Sequence, residues 1–225
     1  MPTVLVTGAN RGIGLELARQ YAAERWTVIA TCRDPGAAPE LKAIQGNLRV
    51  EQLEVTDEAQ VKALANKLSG TAIDVLLNNA GILTGYESFG ETDTAAWLKT
   101  FHVNTVAPLH LAEAFVEQVA RSERKVIASI TSGMGSISRT SGGAYAYRTS
   151  KAALDMAMAT AAHDLRSRGI VVVVISPGWV KTDMGGNGAS LSPAESVSGI
   201  RQVIAGLRLE SSGRFYSYSG EEIPW

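Results

Sequence analysis

Two tyrosines and a lysine stand close together in GGAYAYRTSKAAL, residues 142–154: Tyr145, Tyr147 and Lys151. Residues four apart on a helix share a face, so Tyr147 and Lys151 can point into one site, while Tyr145 lies on a different side. A free phenol, with a pKa of about 10, is a poor acid or base at neutral pH. An ammonium beside it favours the phenolate and should bring that pKa toward the working range. The pair is a candidate proton donor and acceptor. A second constellation opens the chain, in TGANRGIGLELARQ, where Gly8, Gly12 and Gly14 precede an amphipathic pattern of Ile13, Leu17, Ala18 and Tyr21. Glycine turns with positive φ and lets a phosphate approach where a Cβ would obstruct it. The helix that follows offers free N–H groups and a partial positive charge to a pyrophosphate.

These residues need a scaffold, and the hydrophobic pattern describes one. Short β-branched runs, TVLVTG, WTVIATCR, LRVEQLEV, IDVLLNNAG, KVIASIT, GIVVVVISP and RFYSYSG, read as seven strands. Several are apolar at consecutive positions, as in parallel strands buried on both faces. Helical patterns fall between them at 12–24, 57–69, 93–121, 145–168 and 193–207, with Asp57 and Asp93 as N-caps and Pro193 in a first turn. The alternation predicts an α/β fold: a doubly wound, Rossmann-type, seven-stranded and mainly parallel sheet with helices on both faces. With no repeat or linker, residues 1–225 read as a single domain. The Gly loop, Arg33, Glu54–Val55, Asn79–Gly81, Ser132 and Pro177–Thr182 all follow predicted strands. They should therefore line the carboxyl rim where such sheets bind ligands.

The spacing TGxxxGxG, then NNAG at 78–81, HVNTVAP around Asn104, TSGMG at 131–135, YRTSK at 147–151 and SPGWVKTDM at 176–184, resembles the short-chain dehydrogenase/reductase family. The motifs fall in family order and cover nearly the whole chain. The closing GRFYSYSGEEIPW resembles a narrower branch, the C-factor/sniffer-like and carbonyl-reductase-like members. The resemblance implies NADP(H) as cofactor and an oxidoreductase that reduces aldehydes, ketones or quinones to alcohols. It also implies the catalytic set Asn104, Ser132, Tyr147 and Lys151. Tyr147 would donate the proton to the carbonyl oxygen, and Ser132 would hydrogen-bond that oxygen as charge develops. Lys151 would bond the nicotinamide ribose, and Asn104 would hold a water linking Lys151 to solvent. Ser132 precedes Tyr147 by 15 residues, slightly more than in compact members, the extra length lying in SISRTSGG.

Cofactor contacts are expected from Gly8, Asn10, Arg11, Gly12, Ile13, Gly14, Arg33, Glu54, Val55, Asn79, Ala80, Gly81, Tyr147, Lys151, Pro177, Gly178, Val180 and Thr182. An acid at the end of strand two would mark an NAD preference. Here Cys32 stands there, beside the adenosine ribose, followed by Arg33. Arg33 and Arg11 can clamp a 2′-phosphate. Asp34 is the dissenting residue, which before Pro35 suits a turn. Glu54 replaces the aspartate that the family usually places beside the adenine. The substrate side, with Ile82, Leu83, Tyr86, Met134, Ile137, Tyr145, Trp179 and Met184, is mostly apolar.

Composition narrows the remaining classes. Acidic and basic residues number 22 and 21 and are interspersed, which suggests neither nucleic acid nor a membrane surface as partner. One cysteine and three dispersed histidines offer neither a disulfide framework nor a metal-ligand cluster. MPTVLVTG enters a strand at once, unlike a signal peptide, and the expected location is the cytoplasm. The resemblance allows a homodimer or homotetramer through the helices at 93–121 and 145–168, or a monomer. A different class of reading is a nucleotide-binding signalling or regulatory protein on the same scaffold.

Overall fold

The strands are β1 (Thr3–Val6), β2 (Thr27–Cys32), β3 (Leu48–Gln52), β4 (Val75–Asn78), β5 (Val126–Ile130), β6 (Val171–Ser176) and β7 (Phe215–Ser217). The computed structural model describes residues 1–225 and joins these strands in one sheet of order β3-β2-β1-β4-β5-β6-β7. Every pairing is parallel. Alternate residues leave the sheet on opposite sides. Val4 and Val6 of β1 enter one buried cluster and Leu5 the other, and Val171, Val173 and Ile175 of β6 part in the same way from Val172 and Val174. A strand apolar at every position is thus a strand with two buried faces.

The helices are α1 (Gly12–Ala23), α2 (Pro39–Lys42), α3 (Glu58–Lys67), α4 (Thr94–Phe101), α5 (Ala107–Ala120), α6 (Tyr145–Leu165) and α7 (Pro193–Gly206). α1 and α7 cover one face of the sheet, and α3, α5 and α6 cover the other. Asp57 caps α3 by accepting the N–H groups of Ala59 and Gln60 at 3.0 and 3.1 Å, and Asp93 caps α4 through Ala95 at 2.8 Å. Pro193 opens α7 inside a capping box of Ser192 and Glu195. The winding direction reverses between β1 and β4, which places the ligand crevice beyond their carboxyl ends.

Two elements differ from the sequence reading. The short helix α2 falls in a stretch that read as loop. The helix expected to run unbroken over 93–121 instead widens into a π turn at His102–Val106, where the Ala107 N–H bonds back five residues to His102. Pro108 supplies the reason: it has no N–H to return to the carbonyl of Asn104, and its ring would clash with that carbonyl in a regular helix.

Candidate active site

The π turn sets Asn104 fully buried against the end of β4. Its Oδ1 accepts the Ile82 N–H at 2.8 Å, while its Nδ2 donates to the Ile82 carbonyl at 2.9 Å and to Ser150 Oγ at 3.0 Å. The amide thereby ties the loop after β4 to α6. Such π turns occur often at functional sites.

α6 begins at a strained point. Ala144 has φ of 49° and donates its N–H to the Glu87 carbonyl at 2.9 Å. One turn of helix separates Tyr147 from Lys151, both buried, and the ammonium lies 5.8 Å from the centre of the phenol ring. Lys151 Nζ donates to the Ile130 carbonyl at 2.9 Å, at the end of β5. Ser132 follows that strand and accepts the Met134 N–H at 3.1 Å. Gly81 completes the wall, since a Cβ there would stand 3.3 Å from Asn104 Oδ1 and 3.5 Å from Lys151 Nζ. Asn104, Ser132, Tyr147 and Lys151 therefore surround one point on the rim. Tyr145, by contrast, turns toward Phe89, with ring centres 6.4 Å apart.

The electrostatics reverse one expectation. Burial pushes the Tyr147 phenol up to about 12, Ser132 draws it back by hydrogen bonding, and Tyr86 and Asp155 add to the rise. The ammonium was expected to bring the phenol down. It instead bonds the Ile130 carbonyl, and burial dominates the phenol. Burial also pulls Lys151 down to about 8, against the pull of Asp155.

Around the crevice, Gly8 and Gly12 have φ of 64° and 54°, and no side chain caps α1, so the amides of its first turn remain open to an anion. A Cβ on Gly14 would overlap the Gly8 carbonyl and the Asn79 amide. Asn10 and Arg11 are exposed on the loop, Ile13 is half-buried, and Arg11 pairs with Asp183 at 2.7 Å. Arg33 is exposed beyond β2, and Asp34 makes the turn suggested for it, accepting the Gly36 N–H at 2.7 Å.

Several residues expected to touch the cofactor also hold the loops of the crevice in place. Asn79 Nδ2 donates to the Thr7 and Gly8 carbonyls at 2.8 and 3.2 Å, bracing the Gly loop. Glu54 Oε1 accepts from the Thr56 hydroxyl and N–H at 2.9 and 3.1 Å. Val55 joins the core beneath α3, and Cys32 is buried among Ala38 and Leu41 rather than open beside a ribose. Ala80 gives its N–H to Thr7 Oγ1 at 3.1 Å. The Pro177 carbonyl accepts from Ser196 at 2.7 Å, Val180 bridges to Leu191, and Thr182 accepts the Gly185 N–H at 3.1 Å. Gly178, at φ 77°, has no room for a Cβ against Leu191. Thr182 faces Gly12 across the crevice mouth, where a Cβ on the glycine would come within 3.3 Å of its methyl.

Two groups went unnoticed in the sequence. Thr7 fastens β1 to β4 by accepting the N–H groups of Asn79 and Ala80. Asp155, buried one turn beyond Lys151, repeats the spacing of Tyr147 to Lys151, which was its available signal.

Residues 2–190 match the short chain dehydrogenase family model. The chain is 44% identical over 166 residues to C-signal of Myxococcus xanthus, covering 73% of this chain and all of that protein. Among solved structures, the NADPH-bound carbonyl reductase from chicken fatty liver superposes with a TM-score of 0.93 at 36% identity, covering 100% of this chain and 99% of that one. The carbonyl reductase Sniffer of D. melanogaster gives 0.94 at 33% identity with both chains fully covered. This chain belongs to the short-chain dehydrogenase family, in the branch that includes C-signal and the carbonyl reductases.

Proposed function

We propose that this chain is an NADPH-dependent carbonyl reductase, converting aldehydes, ketones or quinones to alcohols in the cytoplasm, with residues 1–225 acting as one dinucleotide-binding and catalytic domain. The observation that carries the reading is geometric: the buried Tyr147 phenol is hydrogen-bonded with Ser132, and the Lys151 ammonium stands 5.8 Å from its ring, at the carboxyl ends of the strands. A phenol so placed has a hydroxyl partner beside it and a cation to stabilise the phenolate left when it gives its proton to a carbonyl oxygen.

The crevice suits a dinucleotide. Its Gly loop has room for a pyrophosphate, and the open amides of α1 offer it hydrogen bonds. Arg11 and Arg33, exposed on the loops after β1 and β2, would clamp the 2′-phosphate. Lys151, beside Gly81, is within reach of a ribose. The similarity to an NADPH-bound carbonyl reductase supports the same choice. When bound, the cofactor supplies a hydride to the carbonyl carbon.

The chain's own residues do the rest. Ser132 donates a hydrogen bond to the carbonyl oxygen as negative charge builds there. Tyr147 gives its proton to that oxygen, leaving a phenolate that the neighbouring Lys151 ammonium stabilises. Asn104 holds the loop after β4 and, through Ser150, the turn of α6 carrying both groups. Exposed Tyr86, Ile137 and Trp179 give the substrate side an apolar rim.

Purified protein supplied with NADPH and a panel of aromatic aldehydes, ketones and quinones should consume the cofactor, followed by its absorbance. The similarity to C-signal favours a second reading, a signalling protein that binds nucleotide. Tight NADPH binding without turnover of any carbonyl would support it.

A further inference from the structure

Asp155 lies behind the proposed catalytic residues and takes no part in the chemistry assigned to them. It is 3% exposed, on the same face of α6 as Tyr147 and Lys151. Neither carboxyl oxygen has a hydrogen bond of ordinary geometry; the polar side chain that faces it is the hydroxyl of buried Thr131, after the end of β5, which favours the charged form. Gly135 leaves the space the carboxyl occupies: a Cβ there would come within 2.8 Å of Asp155 Oδ2 and 3.0 Å of Lys151 Cβ. A buried acid normally has hydrogen-bonded partners, and an exception calls for a reason.

Lys151 supplies the reason. The ammonium bonds one neutral carbonyl, that of Ile130, and Asp155 is the charged group whose field acts on it. Besides Tyr147, on which the carboxylate also acts, the other titratable groups lie toward the surface. β6 and the turn Gly133–Gly135 carry none, while Lys99, His102, His110, Glu113, Glu117, Arg121, Arg166 and Arg168, on the helical segments packed against α6, are exposed or half-exposed. Burial pushes the Asp155 carboxyl up to about 7, with Thr131 and Lys151 drawing it back. The two groups therefore gain and lose protons in the same range and influence each other.

We propose that Asp155 is a positioning residue for Lys151: its buried carboxylate keeps the lysine charged in a dry site and so fixes the pH range over which the phenol can be served. This rests on the catalytic roles proposed above. Its central claim, control of the lysine's charge, can be read without turnover.

The test uses full-length protein with 13Cε-labelled lysine, titrated by NMR as wild type and as Asp155→Asn, a nearly isosteric change. The Lys151 resonance, identified by its loss in Lys151→Met, should titrate at about 8 in the wild type. It should move lower by roughly one unit in Asp155→Asn, the low end of what a neighbouring charge does. The alkaline limb of kcat/KM for carbonyl reduction should move with it. An unchanged lysine titration in the folded variant would overturn the proposal, marking Asp155 as a packing residue. A shifted titration in a protein that reduces no carbonyl would uphold the coupling and defeat the function. If the variant does not fold, the wild type decides. A wild-type Lys151 resonance with a second inflection where the Asp155 carboxyl ionises supports the proposal, and one that titrates in a single step blind to that ionisation overturns it.

Discussion

The Arg11 guanidinium stands 2.7 Å from the carboxylate of Asp183, both largely exposed, so the Gly loop and the segment after β6 are bridged across the mouth of the crevice. Arg11 must leave or share this partner to reach a 2′-phosphate, whereas Arg33 stands free at the surface. NADPH should be preferred over NADH, with Arg33 as the stronger contributor. Arg33→Asp should weaken NADPH use by about ten- to a hundredfold, the worth of one charged hydrogen bond. Asp183→Asn should improve NADPH use by no more than about fivefold, because exposed ion pairs are weak. Both are read from kcat/KM with each cofactor at low and moderate salt. A wild-type preference for NADH would remove the 2′-phosphate role from both arginines.

Tyr147→Phe removes the transferable proton and little volume. Turnover should fall by about 10²–10⁴, the range for a lost general acid, with NADPH binding nearly unchanged. Tyr145→Phe should change the chemical step far less, since that ring faces Phe89. Equal losses in single-turnover measurements would contradict the assignment.

Ser132→Ala should lower the rate by about 10²–10³, the usual scale for one lost oxyanion donor. The hydroxyl also accepts the Met134 N–H, so a small drop in Tm should accompany the loss. Near-normal turnover in steady-state assays would move the role to another donor.

The Asp155 carboxyl, raised from 3.8 to about 7, binds a proton in the folded state that the unfolded chain has released. Between those values folding takes up a proton, so this group's contribution to stability should decline as pH rises from about 4 to 7. Asp155→Asn lacks this dependence. Its Tm relative to wild type should climb over that interval, as differential scanning fluorimetry can follow. A constant difference would mean that the carboxyl titrates normally.

Gly14→Ala should destabilise the protein by about 1–3 kcal/mol, the scale of an overpacked interior site, and abolish NADPH binding. The new methyl would displace the Gly8 carbonyl and the Asn79 brace together. Chemical denaturation and cofactor fluorescence report the two effects. A stable variant with normal binding would show that the loop is more yielding than its geometry implies.

The parts of the fold that rest on local chemistry could be read directly. Strands apolar at every position announced a sheet covered on both faces, and Asp57, Asp93 and Pro193 marked helix starts that the structure keeps. That Tyr147 and Lys151 share a face could be read from their spacing of four, and that Ser132 follows a strand could be read from the apolar run before it. What escaped depends on depth and on distant partners. The bracing role of Asn79 was hidden because its hydrogen bonds to Thr7 and Gly8 span some seventy residues of chain. Cys32 has the right place in sequence, but its thiol enters the core. The ammonium's effect on the phenol was misjudged because proximity was legible and desolvation was not.

The π turn at His102–Val106 has a consequence for how the long helical segment around it is built. A π turn accommodates one residue more than an α turn, so it rotates everything beyond it by about 100° relative to an uninterrupted helix. Before the turn, Trp97 Nε1 reaches Thr149 of α6 at 2.8 Å; after it, Leu111 and Phe115 fill the core against the sheet. The two halves thus keep separate phases, each tuned to a different neighbour, with Asn104 at the junction. Deleting one residue within 102–106 would remove the extra residue, set Pro108 against a carbonyl four residues back, and force one half to present the wrong side to its partner.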